Sequence, residues 1–350
     1  MANYAASILA KGQAKISAKF QAPELRAQMP TVMAMALQNQ SISIPNAQDL
    51  RTSTLRPVDV YFFENIAPGA ATAKAAAHTG SIGDSSLINV SYVSTVETFS
   101  VPLKLGANNV YTYQEYFNNM YEQHWRNIRT RQDNAALSYL YAHRNQLSAA
   151  VINARAASAN AGSWDETNFA LPIDNTNNKL FMQFAKSFMQ ANYYTGGYDM
   201  LADLQIGRGF EFEKNQGSSN ANNYSFQFGD TNVYQTQNQV DPAFTLGATL
   251  MMPTGTFAGL NWNEKANRDG WGSTGNDALG MLGTVSDPLG SGVVADISMY
   301  SQRADTSSDS TGCSTQDMVL QVELTVTVGY VTPPLSLSGD SAIFEIAQAS

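Results

Sequence analysis

Between Gly106 and Gly162 the chain has neither glycine nor proline, and its apolar residues recur at helical spacing: Phe117, Met120, Tyr121, Trp125, Ile128, Ala135, Tyr139, Leu140, Leu147 and Val151. Thr112 followed by Glu115 forms a capping box, and Tyr111 with Tyr116 can close its hydrophobic staple. The spacing predicts a helix from about residue 112 to 157, roughly 65–70 Å long at the usual rise per residue. No heptad repeat is sustained along it, so it is expected to run along a sheet or hairpin, with at most one break. Its middle reads EQHWRNIRTR. On a helix, His124 and Ile128 share a face with Phe117 and Tyr121, Trp125 anchors the helix by packing, and Arg126, Arg129 and Arg131 fan around the other sides. The stretch reads as a strut carrying solvated or interface-facing arginines.

Period-two alternation predicts strands elsewhere. PVDVYFF and LINVSYVSTVETFSVPLKL read as the two arms of a long hairpin, joined by the Gly/Ala-rich tip APGAATAKAAAHTGSIGDSS, which cannot build a core. MVLQVELTVTVGY (residues 318–330) is the clearest strand, with Met318, Leu320, Val322, Leu324, Val326 and Val328 on one face. NYSFQFGDTNVYQ is a hairpin turning at Gly229-Asp230, YDMLADLQI and FTLGATLMMPTG are strands, and SAIFEIAQAS ends in a short one. NNKLFMQFAKSFMQANYY is a second helix with Leu180, Phe181, Phe184 and Phe188 as its stripe, stopped at Gly196-Gly197. Residues 257–291 read as loop-rich. Residues 1–56 are weakly patterned, with MPTVMAMALQNQ a short helix, and read as an arm that needs neighbours to be ordered. Together these elements make an α+β chain.

Composition sharpens this. Only 14% of the 350 residues are charged, against about 25% in an average soluble domain. So much uncharged polar surface suits a protein covered by copies of itself. The net charge of −9 argues against a general nucleic-acid binder. Residues 1–56 carry six cations against two carboxylates, a balance of +4 that leaves −13 for the rest. A basic arm on an acidic body hints at an anionic neighbour. The N-terminus lacks the apolar core of a signal peptide and no apolar run approaches a membrane span, so the expectation is a soluble chain made in a cytoplasm, with no membrane partner.

Candidate chemistry is sparse. There is no phosphate-binding loop, no dinucleotide fingerprint around Gly207-Arg208-Gly209, no HExxH and no GxSxG. His124 and His143 are 19 residues apart on one helix, too far to share a metal, and His78 sits in the hairpin tip. ANRDGWGSTGND puts Asn267, Asp269 and Gly270 at calcium-loop positions, but Lys265 and Asn276 fail as first and last ligands. Asp305 and Asp309 before Gly312 are spaced more loosely still. Cys313 is the only cysteine and has no neighbouring histidine, which excludes an intramolecular disulfide and disfavours a nucleophile. No enzyme, cofactor or metal is expected.

The order of parts resembles the major capsid protein of tailed double-stranded DNA bacteriophages, a fold shared with herpesviruses. AAHTGSIGDS, NNVYTYQEY, MQANYYTGGYDMLADLQI, FGDTNVYQ and TQDMVLQVELTV…PLSLSGDSAIFE are the segments that carry the likeness. The resemblance implies an N-terminal arm (1–56), an extended loop (57–105), a peripheral domain with a spine helix (106–195 and 315–350) and a mixed α/β axial domain (196–314). It implies a structural protein of the virion that assembles as hexamers and pentamers into an icosahedral shell in the host bacterial cytoplasm. Expected partners are further copies of the chain, portal, scaffold and cement proteins, and packaged DNA contacted without sequence reading. Many such proteins begin with a cleaved charged scaffold segment; this sequence starts with Met1 directly in the arm, implying a separate scaffold or none. Some cross-link a loop lysine to a neighbour, and Lys74 is the one lysine of the tip, though a solvated loop lysine is the simpler reading. Candidate assembly contacts are Lys74, His78, Trp125, Arg126, Arg129 and Arg131. The rival readings are a coat protein of two β-barrels in tandem, which predicts no long helix, and a surface-adhesion or carbohydrate-binding β-protein, which needs a secretion signal. An enzyme built on a carboxylate pair comes third.

Overall fold

A computed structural model of the chain describes residues 2–21, 31–44, 46–51, 53, 55–56, 59–63, 85–102, 112–156, 162–174, 180–217, 225–263, 275–277, 280–288, 292–308, 314–333 and 340–349. Its elements begin with four helices, α1 (Ala2–Gln21), α2 (Thr31–Gln38), α3 (Gln40–Ser43) and α4 (Ala47–Arg51), then strands β1 (Asp59–Phe63), β2 (Ser85–Asn89) and β3 (Ser91–Pro102). Helices α5 (Tyr113–Ala142) and α6 (Ala149–Ala156) follow, then β4 (Ala170–Asp174), α7 (Phe181–Ala191), β5 (Tyr198–Asp203) and α8 (Leu204–Gly217). The rest are strands: β6 (Ser225–Phe228), β7 (Thr231–Thr236), β8 (Ala248–Pro253), β9 (Ala258–Trp262), β10 (Gly275–Asp277), β11 (Gly280–Ser286), β12 (Val294–Ser308), β13 (Ser314–Val331) and β14 (Phe344–Ala349).

The first sheet is antiparallel, in the order β10-β11-β12-β13-β3. Strand β13, 18 residues long, is its axis: one edge pairs with β3 along its length, while the other pairs with β12 up to Thr325 and with β9 from Thr327. Alternation dictates its two faces. Leu320, Val322, Leu324, Val326 and Val328 turn inward beside Phe99 and Val101 of β3 and Ala295, Ile297 and Met299 of β12. Gly329 stands opposite Tyr92, and a Cβ there would fall 2.4 Å from Val90 Cγ1, so the crossing leaves no room for a side chain.

Helix α5 is laid across the inward face. Phe117, Tyr121, Trp125, Ile128, Ala136 and Leu140 are buried in one core with those strands. Its capping box is formed, Glu115 N–H donating to Thr112 Oγ1 at 3.2 Å and Thr112 N–H to Glu115 Oε2 at 2.9 Å. These bonds from Thr112 hold the Glu115 carboxyl below its ordinary pKa. The helix ends at His143 and resumes as α6 after the short segment 143–148, the single break the spacing allows. Tyr111, the other half of the expected staple, lies outside the described residues. A 30-residue helix is incompatible with the tandem-barrel alternative.

The second sheet is mixed, in the order β4-β14-β8-β5-β7-β6, with β14/β4 and β5/β7 parallel. One face packs Met200, Val233, Met251, Phe344 and Ile346 against Ile152 of α6, Phe181, Ala185 and Phe188 of α7, and Ile206 and Phe210 of α8. The other face adds Leu201, Leu250 and Ala347 to the core beneath α5. The turn at Gly229-Asp230 is two residues long, with Gly229 at φ 66°, as the β6/β7 hairpin requires.

Several expectations are corrected. The N-terminal segment does not wait for a neighbour: Ile8, Leu9 and Ile16 of α1 and Val32, Met33, Met35 and Ala36 of α2 are buried in the chain's own main core. LQI belongs to helix α8 rather than to strand β5. Leu180 is exposed, and α7 turns Met182, Ala185 and Met189 inward alongside Phe181 and Phe188. Residues 257–291 include β9 and β11. The expected single hairpin breaks at Val90: β1 pairs with β2, whereas β3 leaves to pair with β13. Strand pairing also crosses the expected domain limits, since β12 and β9 pair with β13, and β14 lies between β4 and β8.

Candidate assembly surface

Arg126, Arg129 and Arg131 sit within one and a half turns of α5 and meet three different fates. Arg129 is buried, its Nε donating to Asp287 Oδ2 at 2.8 Å, with 6% and 0% of the two side chains exposed. Burial lowers the Arg129 pKa and the Asp287 carboxylate opposes that. Arg126 pairs with Glu122 one turn back at 2.7 Å. Arg131 is 62% exposed and its guanidinium reaches Glu97 of β3 at 2.6 Å. The same carboxylate takes His124 Nδ1 at 2.6 Å, and the His124 ring stacks on Phe99 with centroids 4.9 Å apart. One buried acid on the sheet therefore fixes two side chains of the helix.

Trp125 is wholly buried, edge-on to Tyr121. Two of the sequence's candidate contacts are thus withdrawn: Trp125 and Arg129 are covered by their own chain and offer nothing to a neighbour. Lys74 and His78 lie outside the described residues. Arg126 and Arg131 are the candidates with an outward face.

Two further polar residues on α5 were not singled out in the sequence. The Gln132 amide nitrogen lies 3.1 Å from Val93 O, 3.0 Å from Thr95 Oγ1 and 3.2 Å from Val326 O, and Tyr330 donates its hydroxyl to Gln132 Oε1 at 3.1 Å. Asp133 Oδ1 accepts from the N–H groups of Val32 (2.9 Å) and Met33 (3.1 Å), capping the start of α2 from another helix. Burial pushes the Asp133 carboxyl up to about 6. The polar residues QD at 132–133 interrupt the apolar stripe, the one signal that could have marked them.

The β1/β2 ribbon is different. It pairs register by register from Asp59↔Asn89 to Phe63↔Ser85, and among the described residues neither strand has another partner. Its root is held by Val60 in a small cluster with Ile44, Val90, Ala258, Leu260 and Val331. Two-stranded ribbons are marginal in water, and free strand edges invite pairing. Nearby on the first sheet, the face turned away from α5 carries Ser94, Val96, Thr98 and Ser100 of β3 and Tyr300 of β12, all exposed. Exposed Glu323 of β13, opposite Thr98, adds a carboxylate to this otherwise weakly apolar face.

Among the described residues no cluster of histidine, cysteine or carboxylates could hold a metal, and no helix is long and apolar enough to cross a membrane. One cleft, beside Asp203, is lined by the amides of Gln205, Gln237, Asn238 and Gln239 with Phe244. Asp203 spends both oxygens on the N–H groups of Val240 (2.7 Å) and Ala248 (2.9 Å), so the cleft has no free reactive group.

No family model matches the chain, and no curated protein matches it. Solved structures that are similar in shape include one titled as a cyanophage Pam1 capsid asymmetric unit, at 7% identity, covering 83% of this chain and 84% of that one with a TM-score of 0.44. Another, titled as the capsid of Ralstonia phage GP4, is 9% identical over 86% of each chain with a TM-score of 0.43. A third, from Mycobacterium phage Cain, is 10% identical over 92% of this chain and 90% of that one with a TM-score of 0.41.

Proposed function

We propose that the chain is the shell-forming coat protein of a tailed bacteriophage, closing as hexamers and pentamers around double-stranded DNA. The observation that carries the reading is the β1/β2 ribbon: rooted in the core by Val60, it pairs only with itself among the described residues and leads into the Gly/Ala-rich segment 64–84. Such a ribbon has no stabilising surface of its own, so its place is across another copy of the chain. Obligate association of this kind typically buries 2,000–5,000 Å² or more.

The remaining features fit. The spine α5 on the long antiparallel sheet is a rigid strut; the mixed sheet with α6, α7 and α8 is a separate face on which capsomers can close. On this reading the peripheral role falls to the first and the axial role to the second, which moves α6, α7, β4 and β14 out of the peripheral limits of 106–195 and 315–350. Outward Arg126 and Arg131 are available to an acidic neighbouring copy or to DNA phosphates, which would be met without base reading. A portal, a scaffold and cement proteins, and assembly in the host cytoplasm, complete the reading.

Electron microscopy of the purified, overexpressed chain tests it. Shells, tubes or ring-shaped capsomers are expected; a monodisperse monomer at high concentration overturns the proposal.

A further inference from the structure

Glu345 lies in the middle of the mixed sheet, between β4 and β8, and its side chain is fully buried. It points away from Phe344 and Ile346, whose side chains pack with the α6–α8 layer, and so faces the end of the spine helix. There it meets Tyr141 and Arg144 at the end of α5, Asp241 on the connection before β8, and Asp203 at the end of β5. Three carboxylates thus share one buried site with one guanidinium. Asp203 takes two backbone N–H donors, as above. Asp241 accepts from the Tyr141 hydroxyl at 2.9 Å and from the Ala243 N–H at 2.8 Å. Glu345 is left out: Arg144 Nε lies 3.1 Å from its Oε2 without the alignment of a hydrogen bond, and neither of its oxygens receives a donor. Arg144 instead sits 3.7 Å over the Tyr141 ring and donates to Tyr141 O at 2.9 Å and Asn168 O at 3.3 Å.

A buried, ionised carboxylate with no donor and two acidic neighbours is strongly disfavoured; a neutral carboxylic acid supplies the missing donor itself. We infer that Glu345 is held as a protonated acid that donates its O–H to Asp241, making the joint between the spine helix and the mixed sheet a proton-held latch that alkali releases. Burial first, and then the Asp241 carboxyl, push Glu345 up to about 9, while Arg144 opposes them. Tyr141, raised to about 12 chiefly by burial, stays neutral over the same range. The folded value exceeds the unfolded one, so the stability this proton confers is complete below about 4.5 and disappears as pH rises through about 9. Loss of the proton leaves Glu345 and Asp241 repelling each other across the joint. The latch is independent of whether the chain builds shells.

The test compares wild type with Glu345→Gln, whose amide can donate to Asp241 at every pH. The melting temperature of wild type should fall steeply between neutral pH and about 10, and that of the variant should fall much less over the same interval. Because the substitution alone could perturb folding, difference infrared spectra of unmodified wild type form a second arm. A protonated carboxylic acid C=O band should vanish as pH passes about 9, and Glu345→Gln should lack that band. Parallel melting profiles for the two proteins, or the absence of any protonated carboxyl band at neutral pH, overturns the inference.

Discussion

The spine helix, 30 residues long, and the β1/β2 ribbon, two strands of five residues, satisfy their polar groups in opposite ways. On α5 the inward Arg129, Gln132 and Asp133 each meet a specific partner: Arg129 meets Asp287, Gln132 meets Val93, Thr95 and Val326, and Asp133 meets the start of α2. On the ribbon, pairing among the described residues stops at its own two strands. On the function proposed above, the first region is finished within one chain and the second is not, and the difference separates what folds the subunit from what joins subunits.

Substitutions in the finished region should therefore act on melting, and the largest effects come first. Trp125→Ala opens a cavity beneath α5 and should cost about 3–5 kcal/mol. Removing one side of the Arg129–Asp287 pair, as in Arg129→Met, strands a buried charge and should cost a similar 3–5 kcal/mol. Chemical denaturation of the isolated subunit measures both, and a neutral outcome for either would show that the helix faces are assigned wrongly. Gln132→Ala breaks the bridge from the helix to β3, β13 and Tyr330, and is expected to cost about 1–3 kcal/mol by the same measurement. Arg126→Ala and Arg131→Ala should each shift stability by no more than about 1 kcal/mol, because both pairs are exposed to water on the arginine side. A fall in particle yield with unchanged melting would place that arginine at a contact between copies. An arginine change on this rim that unfolds the subunit would erase the distinction between the two regions.

Much of the strut was legible in the sequence. The Thr112–Glu115 cap, the Gly/Pro-free run and the spaced apolar residues located α5, and alternation located β13, because both depend on local periodicity. The fate of Arg129 was not legible, since its partner Asp287 is 158 residues away and no spacing rule connects them. Helix α8 was missed because Gly207 and Gly209 lower the helical propensity of LQIGRGFEFEKNQG; it is held by burying Ile206 and Phe210 instead. Among the described side chains of α1, Ile8, Leu9 and Ile16 are the deeply buried apolar ones, set among small and polar residues, too thin a stripe to read without seeing α5 beneath it. The break at Val90, which moves β3 from a hairpin into the sheet, depends on the crossing at Gly329 and is invisible to alternation. Of the candidate contacts, exposure decides between Arg131 and Arg129, and exposure is a tertiary property.

The most direct test of this account replaces residues 68–84, beyond the ribbon's paired strands, with a short Gly-Ser link and follows the two properties side by side. Melting of the purified variant reports on the finished region, and electron microscopy under conditions where the unaltered chain forms particles reports on the unfinished one. An unchanged melting temperature together with loss of shells is expected. Normal particles from the shortened chain, or a subunit that no longer folds, would contradict it.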